Sequence, residues 1–317
     1  MLIKVRRNIF NNYGIILILL FLLLLFSLME PDFLQVSNLI NIVRQVATMG
    51  ICAVGMTMVM LTGGIDLSIG SLMGLVNIAC AKFIVEQGLH PMLAIVFCLV
   101  IAVFVGAVNA FLITVIDIPP LISTLGILTS LRGLSYLMCD GRSIRGFGDG
   151  FRSIGRGSIG FIPNPVVVML LLFVLGWLFL NYTRYGRFIY GIGCDEEAAR
   201  LSGINVMKMK FMVYIICSVL TAISGILLLS RLNTGMPKTG TGLEMEVVTA
   251  VVLGGVSIYG GKGSFFGVFV GVMIMGVLTN GMIYLNITEY MQLVIRGFVL
   301  LFAIGLDNVT KRNQKTA

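Results

Sequence analysis

The chain has 317 residues, of which 58% are hydrophobic and 11% charged, with a formal net charge of +8. A mean hydropathy of +1.02 excludes a water-soluble globular domain and marks a polytopic membrane protein. The basic residues are spread through loops rather than gathered on a patch, which fits anionic lipid headgroups and not nucleic acid.

At about 20 residues per crossing, the apolar runs account for about ten helices and leave nothing for a separate soluble domain. The predicted fold is all-α, one transmembrane unit over 1–317, with spans near 13–29, 46–62, 69–86, 91–116, 120–138, 165–180, 211–231, 245–258, 265–284 and 290–306. Some are short or broken. Lys4, Arg6 and Arg7 precede the first run and imitate a secretory leader. That run is long for a leader and no small-x-small site follows it before Glu30 and Pro31, so an uncleaved first span is expected.

Spans two and three are separated only by Thr62-Gly63-Gly64-Ile65-Asp66-Leu67-Ser68. Two glycines end a helix there, and Asp66 or Ser68 can cap the next one. The same residues also read as a broken helix lining a permeation path, where irregular backbone is tolerated. The two readings are compatible. The segment 245–258 is short for a full crossing, and Glu244 and Glu246 at its start are either gate residues or first-turn acids. Gly263, Gly267, Gly271, Gly276 and Gly281 make a small-residue row suited to close helix packing.

Two polar stretches interrupt the hydrocarbon. The segment 139–163 carries Arg142, Arg145, Arg152 and Arg156. The segment 181–210 is a charged island holding Arg184, Arg187, Asp195, Glu196, Glu197, Arg200, Lys208 and Lys210. Such a stretch must stand in water. Within it 197–203 reads as a short helix, with Gly203 in the left-handed position after the last turn. Ten spans put both termini on one side with the island. That side carries twelve basic residues against eight opposite, so the positive-inside rule makes it cytoplasmic and the 139–163 loop extracytoplasmic.

Motifs for covalent or nucleotide chemistry fail on context. Gly155-Arg156-Gly157-Ser158-Ile159-Gly160 lacks a preceding strand and is followed by prolines, so it is a turn. Gly260-Gly261-Lys262-Gly263 lacks the rest of a phosphate loop, and Gly146-Phe147-Gly148-Asp149 lacks a second intramembrane aspartate. One histidine and six cysteines without a paired spacing point to no metal, no cofactor and free thiols. The chain reads as a non-enzyme.

Five segments carry a resemblance: 62–68; Gly106-Ala107-Val108-Asn109 with 118–126; 193–205; Val251-Val252-Leu253-Gly254-Gly255; and 259–264. In that order and spacing the chain resembles permease subunits of bacterial ATP-binding-cassette importers of the ribose/simple-sugar class, over about 33–308. The resemblance implies a cytoplasmic-membrane dimer, with itself or a paralogue, that moves a sugar inward. A separate ATPase would dock on the cytoplasmic side, and a sugar-binding protein would deliver substrate outside. It implies a coupling helix at Glu196, Glu197, Ala198, Ala199, Arg200 and Gly203. After Gly203 the broader importer pattern continues to an Ile and a Leu-Pro pair, whereas this chain reads Val213-Tyr214-Ile215-Ile216.

A sugar path needs hydrogen-bonding groups without strong charge. Asp66, Ser68, Asn109, Thr124 and Asn280 are the candidates, each with interhelical bonding as the plainer reading. The four arginines of 139–163 are candidates for pairing with carboxylates on the binding protein. The rival reading is an ion-coupled secondary transporter of a small polar solute, which would place coupling carboxylates at mid-membrane.

Overall fold

The computed structural model describes residues 2–315, with side chains over 14–305. The terminal charges Lys4, Arg6, Arg7, Lys311, Arg312 and Lys315 lie outside the described side chains. Thirteen α-helices follow one another among the described residues: α1 Leu2–Met29, α2 Val36–Leu61, α3 Ile69–Ala81, α4 Pro91–Thr114, α5 Pro120–Cys139, α6 Asp149–Arg156 and α7 Asn164–Tyr182, then α8 Arg184–Cys194, α9 Glu196–Leu201, α10 Val206–Leu232, α11 Leu243–Leu253, α12 Phe265–Tyr284 and α13 Glu289–Lys315. Strand is confined to two antiparallel pairs of two residues each, β1 Ile144–Arg145 with β4 Thr234–Gly235 and β2 Ser158–Ile159 with β3 Ile162–Pro163.

Helices dominate because lipid offers backbone groups no partner, and a helix satisfies its own. Seven described helices are long and apolar enough to cross a membrane, and the described part of α1 adds the apolar run Gly14–Met29. α2 begins at Val36, ten residues before the predicted start, and α3 runs on through a π-helical turn, Lys82–Glu86. Both are therefore long and apolar enough to cross fully, and the 62–68 turn joins them at one end of the bundle.

The core is built around α10. At about 1.5 Å per residue its 27 residues reach about 40 Å. It packs against α4, α2, α3 and α6. Glycines set the approach. A Cβ on Gly55 of α2 would stand 2.7 Å from Cys217 Cα, and one on Gly106 of α4 2.7 Å from Ile215 Cα. Of the predicted glycine row, Gly267 and Gly271 face the Gly254 and Ala250 carbonyls of α11, Gly276 faces Val46 and Gly281 faces Phe26. Gly263 precedes α12 and belongs to the turn before it.

One crossing is not a helix throughout. After Asn233, in the left-handed conformation at φ 58°, the chain runs non-helically to Gly242 before α11 begins. This stretch descends along α3, with Gly74 against the Thr239 and Pro237 carbonyls and Gly70 against that of Gly240. Its backbone groups need partners at that depth. Asn77 Oδ1 accepts from Met236 N–H at 3.0 Å, and Arg132 Nη1 donates to the Pro237 and Thr239 carbonyls at 3.2 and 3.1 Å. A second irregular stretch, 233–242, thus lies along α3 in addition to the 62–68 turn, and the short 245–258 span reduces to an eleven-residue half-helix.

Candidate functional site

The charged island forms one end of the bundle. It is more helical than its composition suggests, because α8 fills 184–194 ahead of the expected short helix. Three glycines in eleven residues argue against that helix on propensity. Tertiary contact overrides it: Gly186 presses on the Leu180 backbone, Ile189 and Ile192 are buried, and Thr183 Oγ1 accepts from Gly186 N–H at 3.2 Å. Tyr190 donates its hydroxyl to the Gly263 carbonyl at 3.0 Å, and burial raises its pKa, keeping it the donor.

α9 follows at once. Asp195 caps it, its Oδ1 accepting from Ala198 N–H at 3.0 Å, and Gly203 leaves it at φ +83°, in the predicted left-handed position. Glu196 bonds Lys210 of α10 at 2.7 Å and Arg200 at 3.5 Å, and Glu197 meets Arg200 at 3.7 Å. Ala199 is buried beneath the helix, while Leu201 is 81% exposed at its tip. Its outer side is otherwise polar, with Glu197, Arg200 and Ser202 exposed beside Leu201.

The 62–68 turn lies against the island. Gly193 meets the Leu61 carbonyl and the Gly261 amide where three backbones cross, and Gly261 N–H bonds Leu61 O at 3.0 Å. Behind the turn, buried Asp66 accepts from Ser68 N–H at 2.9 Å and from the Ser68 hydroxyl, to which Asn109 Nδ2 donates at 2.9 Å. Thr124 Oγ1 reaches Ile65 O at 3.4 Å but returns chiefly to Pro120 O at 2.8 Å. Four of the five candidate path residues thus gather behind one turn. Asn280 stands apart, accepting from Asn38 Nδ2 at 3.0 Å and tying α12 to α2.

The 139–163 loop lies at the opposite end of α10: Gly155 N–H bonds Ser230 Oγ at 2.7 Å. What composition reads as a polar loop contains α6, whose Phe151 is buried against Phe147. Its arginines divide. Arg142 and Arg145 are exposed. Arg152 pairs with Asp149 at 2.9 Å, and Arg156 Nε donates to Arg231 O at 2.8 Å. Arg156, Arg44 and Arg231 line a recess of about 470 Å³, where Arg231 Nη1 donates to Arg44 O at 3.0 Å.

The sequence places Arg132 and Arg296 within spans and Glu246 at the start of one, but does not show what they pair with. Glu246, in the first turn of α11, pairs with Arg296 of α13, and Arg132 holds the unwound segment. Glu246 therefore ties the start of α11 to α13. A lone arginine inside each of two apolar spans was the available signal.

Lipid-length helices, unwound backbone held at depth and a braced polar stub at one end together describe a multi-pass membrane transport component. The chain belongs to the family described as "Branched-chain amino acid transport system / permease component", which matches residues 38–304. It is 42% identical over 302 residues to the ribose import permease protein RbsC of Bacillus subtilis (strain 168), covering 95% of this chain and 94% of that protein. The RbsC of Escherichia coli (strain K12) is 39% identical, with 92% and 91% covered. The L-arabinose ABC transporter permease protein AraH of Azospirillum brasilense is 35% identical, with 97% and 90% covered. No solved structure matches significantly.

Proposed function

We propose that this chain is the membrane-spanning subunit of an ATP-binding-cassette importer that carries ribose or a related simple sugar inward. A separate ATPase drives it and a sugar-binding protein feeds it, while the chain itself does no covalent chemistry. The observation that carries this reading is similarity to ribose and arabinose permeases over about nine-tenths or more of both chains. The island supports it physically. A subunit without its own nucleotide site must receive work mechanically, and α9 is braced to α10 through Glu196 and Lys210. In this reading Leu201 and the exposed edge formed by Glu197, Arg200 and Gly203 meet the ATPase. Glu196 and Ala199 fix the helix to the bundle, and Ala198 lies on the exposed side with Glu197.

The island end faces the cytoplasm together with both termini, in the bacterial inner membrane, and two permease copies or a copy and a paralogue make the pore. Arg142 and Arg145 are the outer residues available to carboxylates of a binding protein, with Arg152 and Arg156 shaping the loop that presents them. Asp66, Ser68, Asn109 and Thr124 set the turn at the inner mouth of the path. Asn280 fixes the outer ends of α2 and α12. Against an ion-coupled carrier, the carboxylate of Glu246 at depth is already neutralised by Arg296.

Proteoliposomes holding this chain, its ATPase and the binding protein should accumulate ribose only with ATP and binding protein present. Accumulation by the chain alone on an ion gradient would remove the importer reading. For orientation, a cysteine at Lys208 should resist an impermeant thiol reagent in intact cells while one at Arg152 reacts. The background is Cys194→Ser, because Cys194 is the exposed native thiol. Labelling at 208 from outside reverses both partner faces.

A further inference from the structure

An open cavity of about 240 Å³ lies between α2, α3, α10 and α12. Its floor is Gly240, Thr241 and Glu246, where the unwound segment enters α11. Gln45 and Arg231 line both this cavity and the arginine recess on the 139–163 side, so the two hollows adjoin there.

Two threonines in its wall behave unlike the rest. A threonine in a helix ordinarily returns its hydroxyl to a carbonyl one turn back. Thr57, Thr114, Thr124, Thr129, Thr221 and Thr249 all do so, to carbonyls three or four positions earlier. Thr48 of α2 and Thr279 of α12 have no side-chain hydrogen bond among the described residues, and both line the cavity. Gln45, one turn from Thr48, likewise has none and is exposed. Three uncommitted polar groups, each able to donate and to accept, thus border one hollow.

We propose that this cavity is a dwelling site for the transported solute, a neutral polyhydroxylated molecule of monosaccharide size. The inference rests on the importer reading and deepens it. Size argues for a monosaccharide, since the volume falls just under the range of about 300–1,000 Å³ typical of small-molecule pockets. Chemistry argues for a polyol. Its hydroxyls both donate and accept, as do the threonine hydroxyls and the glutamine amide. Met49, Met73 and Met275 supply apolar surface for its C–H faces. Charge argues against a cation, because the floor carboxylate of Glu246 is paired with Arg296, and the Arg231 guanidinium in the wall is engaged by the Arg44 carbonyl.

The test uses the complete reconstituted transporter with Cys194→Ser, carrying Thr48→Cys or Thr279→Cys. Both positions should react with an impermeant thiol reagent applied from the binding-protein side, and millimolar D-ribose should slow the reaction at least fivefold. In a second arm, Thr48→Val with Thr279→Val should lower ribose uptake about tenfold, the loss expected for two neutral hydrogen bonds. Binding-protein-stimulated ATP hydrolysis should stay within about twofold of the parent. The site is overturned if the parent complex takes up ribose while the cysteines show no ribose protection, or while the double valine variant transports as the parent does. If the parent complex shows no ATP-driven ribose uptake, the importer reading has failed instead.

Discussion

Replacing Gly193 with valine should abolish ATP-driven uptake while the chain still inserts in the membrane. A Cβ at this position would fall inside contact distance of the Leu61 carbonyl and the Gly261 amide, both backbone groups. Those two atoms bond each other at 3.0 Å, so a side chain cannot enter without opening that bond. It would prise α8 and α9 away from the end of α2 and the Gly260–Gly261 turn. Overpacking of this kind costs about 1–3 kcal/mol, and more where backbone must yield. Gly203 provides the contrast. Its φ is +83°, yet a Cβ there meets nothing within 4 Å, so substitution costs only left-handed strain, about 1–2 kcal/mol. Gly203→Asn should be tolerated because asparagine accepts that conformation, and Gly203→Val should be intermediate. Uptake together with ATPase co-purification ranks the three variants. Wild-type uptake by Gly193→Val would mean that this crossing does not hold the island in its working position.

The contrast shows what the sequence makes legible. Gly203 announces itself locally, because a glycine after Glu-Glu-Ala-Ala-Arg-Leu is where a left-handed exit belongs. Gly193 does not, since its reason lies in Leu61 and Gly261, far off in sequence. Spans such as α4 and α12 are legible from composition, because lipid imposes one rule on every exposed residue. α8 is hidden by its three glycines, of which Gly186 and Gly193 are present for close approach and not for propensity. α6 is hidden in the same way, reading as an arginine- and glycine-rich loop although Phe151 anchors it. The 233–242 segment leaves a faint trace in the short apolar run after it. The groups that make it possible, Asn77 and Arg132, sit on other helices, and nothing local connects them to it.

The Glu246–Arg296 pair should behave as a single neutral unit, which a charge-by-charge series can measure. Arg296→Gln leaves Glu246 without its counter-ion in the first turn of α11, two residues from the buried carboxylate of Glu244, whose Oε2 has no hydrogen-bond partner among the described residues. The amino-terminal dipole of α11 favours negative charge there, but by about 0.3–1 kcal/mol and seldom more than about 2. Removing one partner of a fully buried pair costs about 3–5 kcal/mol. This pair keeps 22–24% of its side-chain surface exposed, so the cost is about 2–3 kcal/mol, still more than the dipole commonly returns. Arg296→Gln should therefore lower the thermal midpoint of the purified protein in detergent steeply. Glu246→Gln should do the same by leaving the guanidinium with Gln292 as its remaining side-chain partner. Glu246→Gln with Arg296→Gln should recover most of the loss, because two amides can bond each other and carry no charge to desolvate. Additive single effects, with the double variant the least stable of the three, would show that the two side chains act independently. The position of the pair gives the result its weight. It pins the half-helix that follows the unwound segment to α13, so α11 is held by charge as well as by the glycine contacts of α12. A carboxylate bound in this way serves to fix backbone at depth, whereas one that took up and released ions in each cycle would have to leave Arg296 every time.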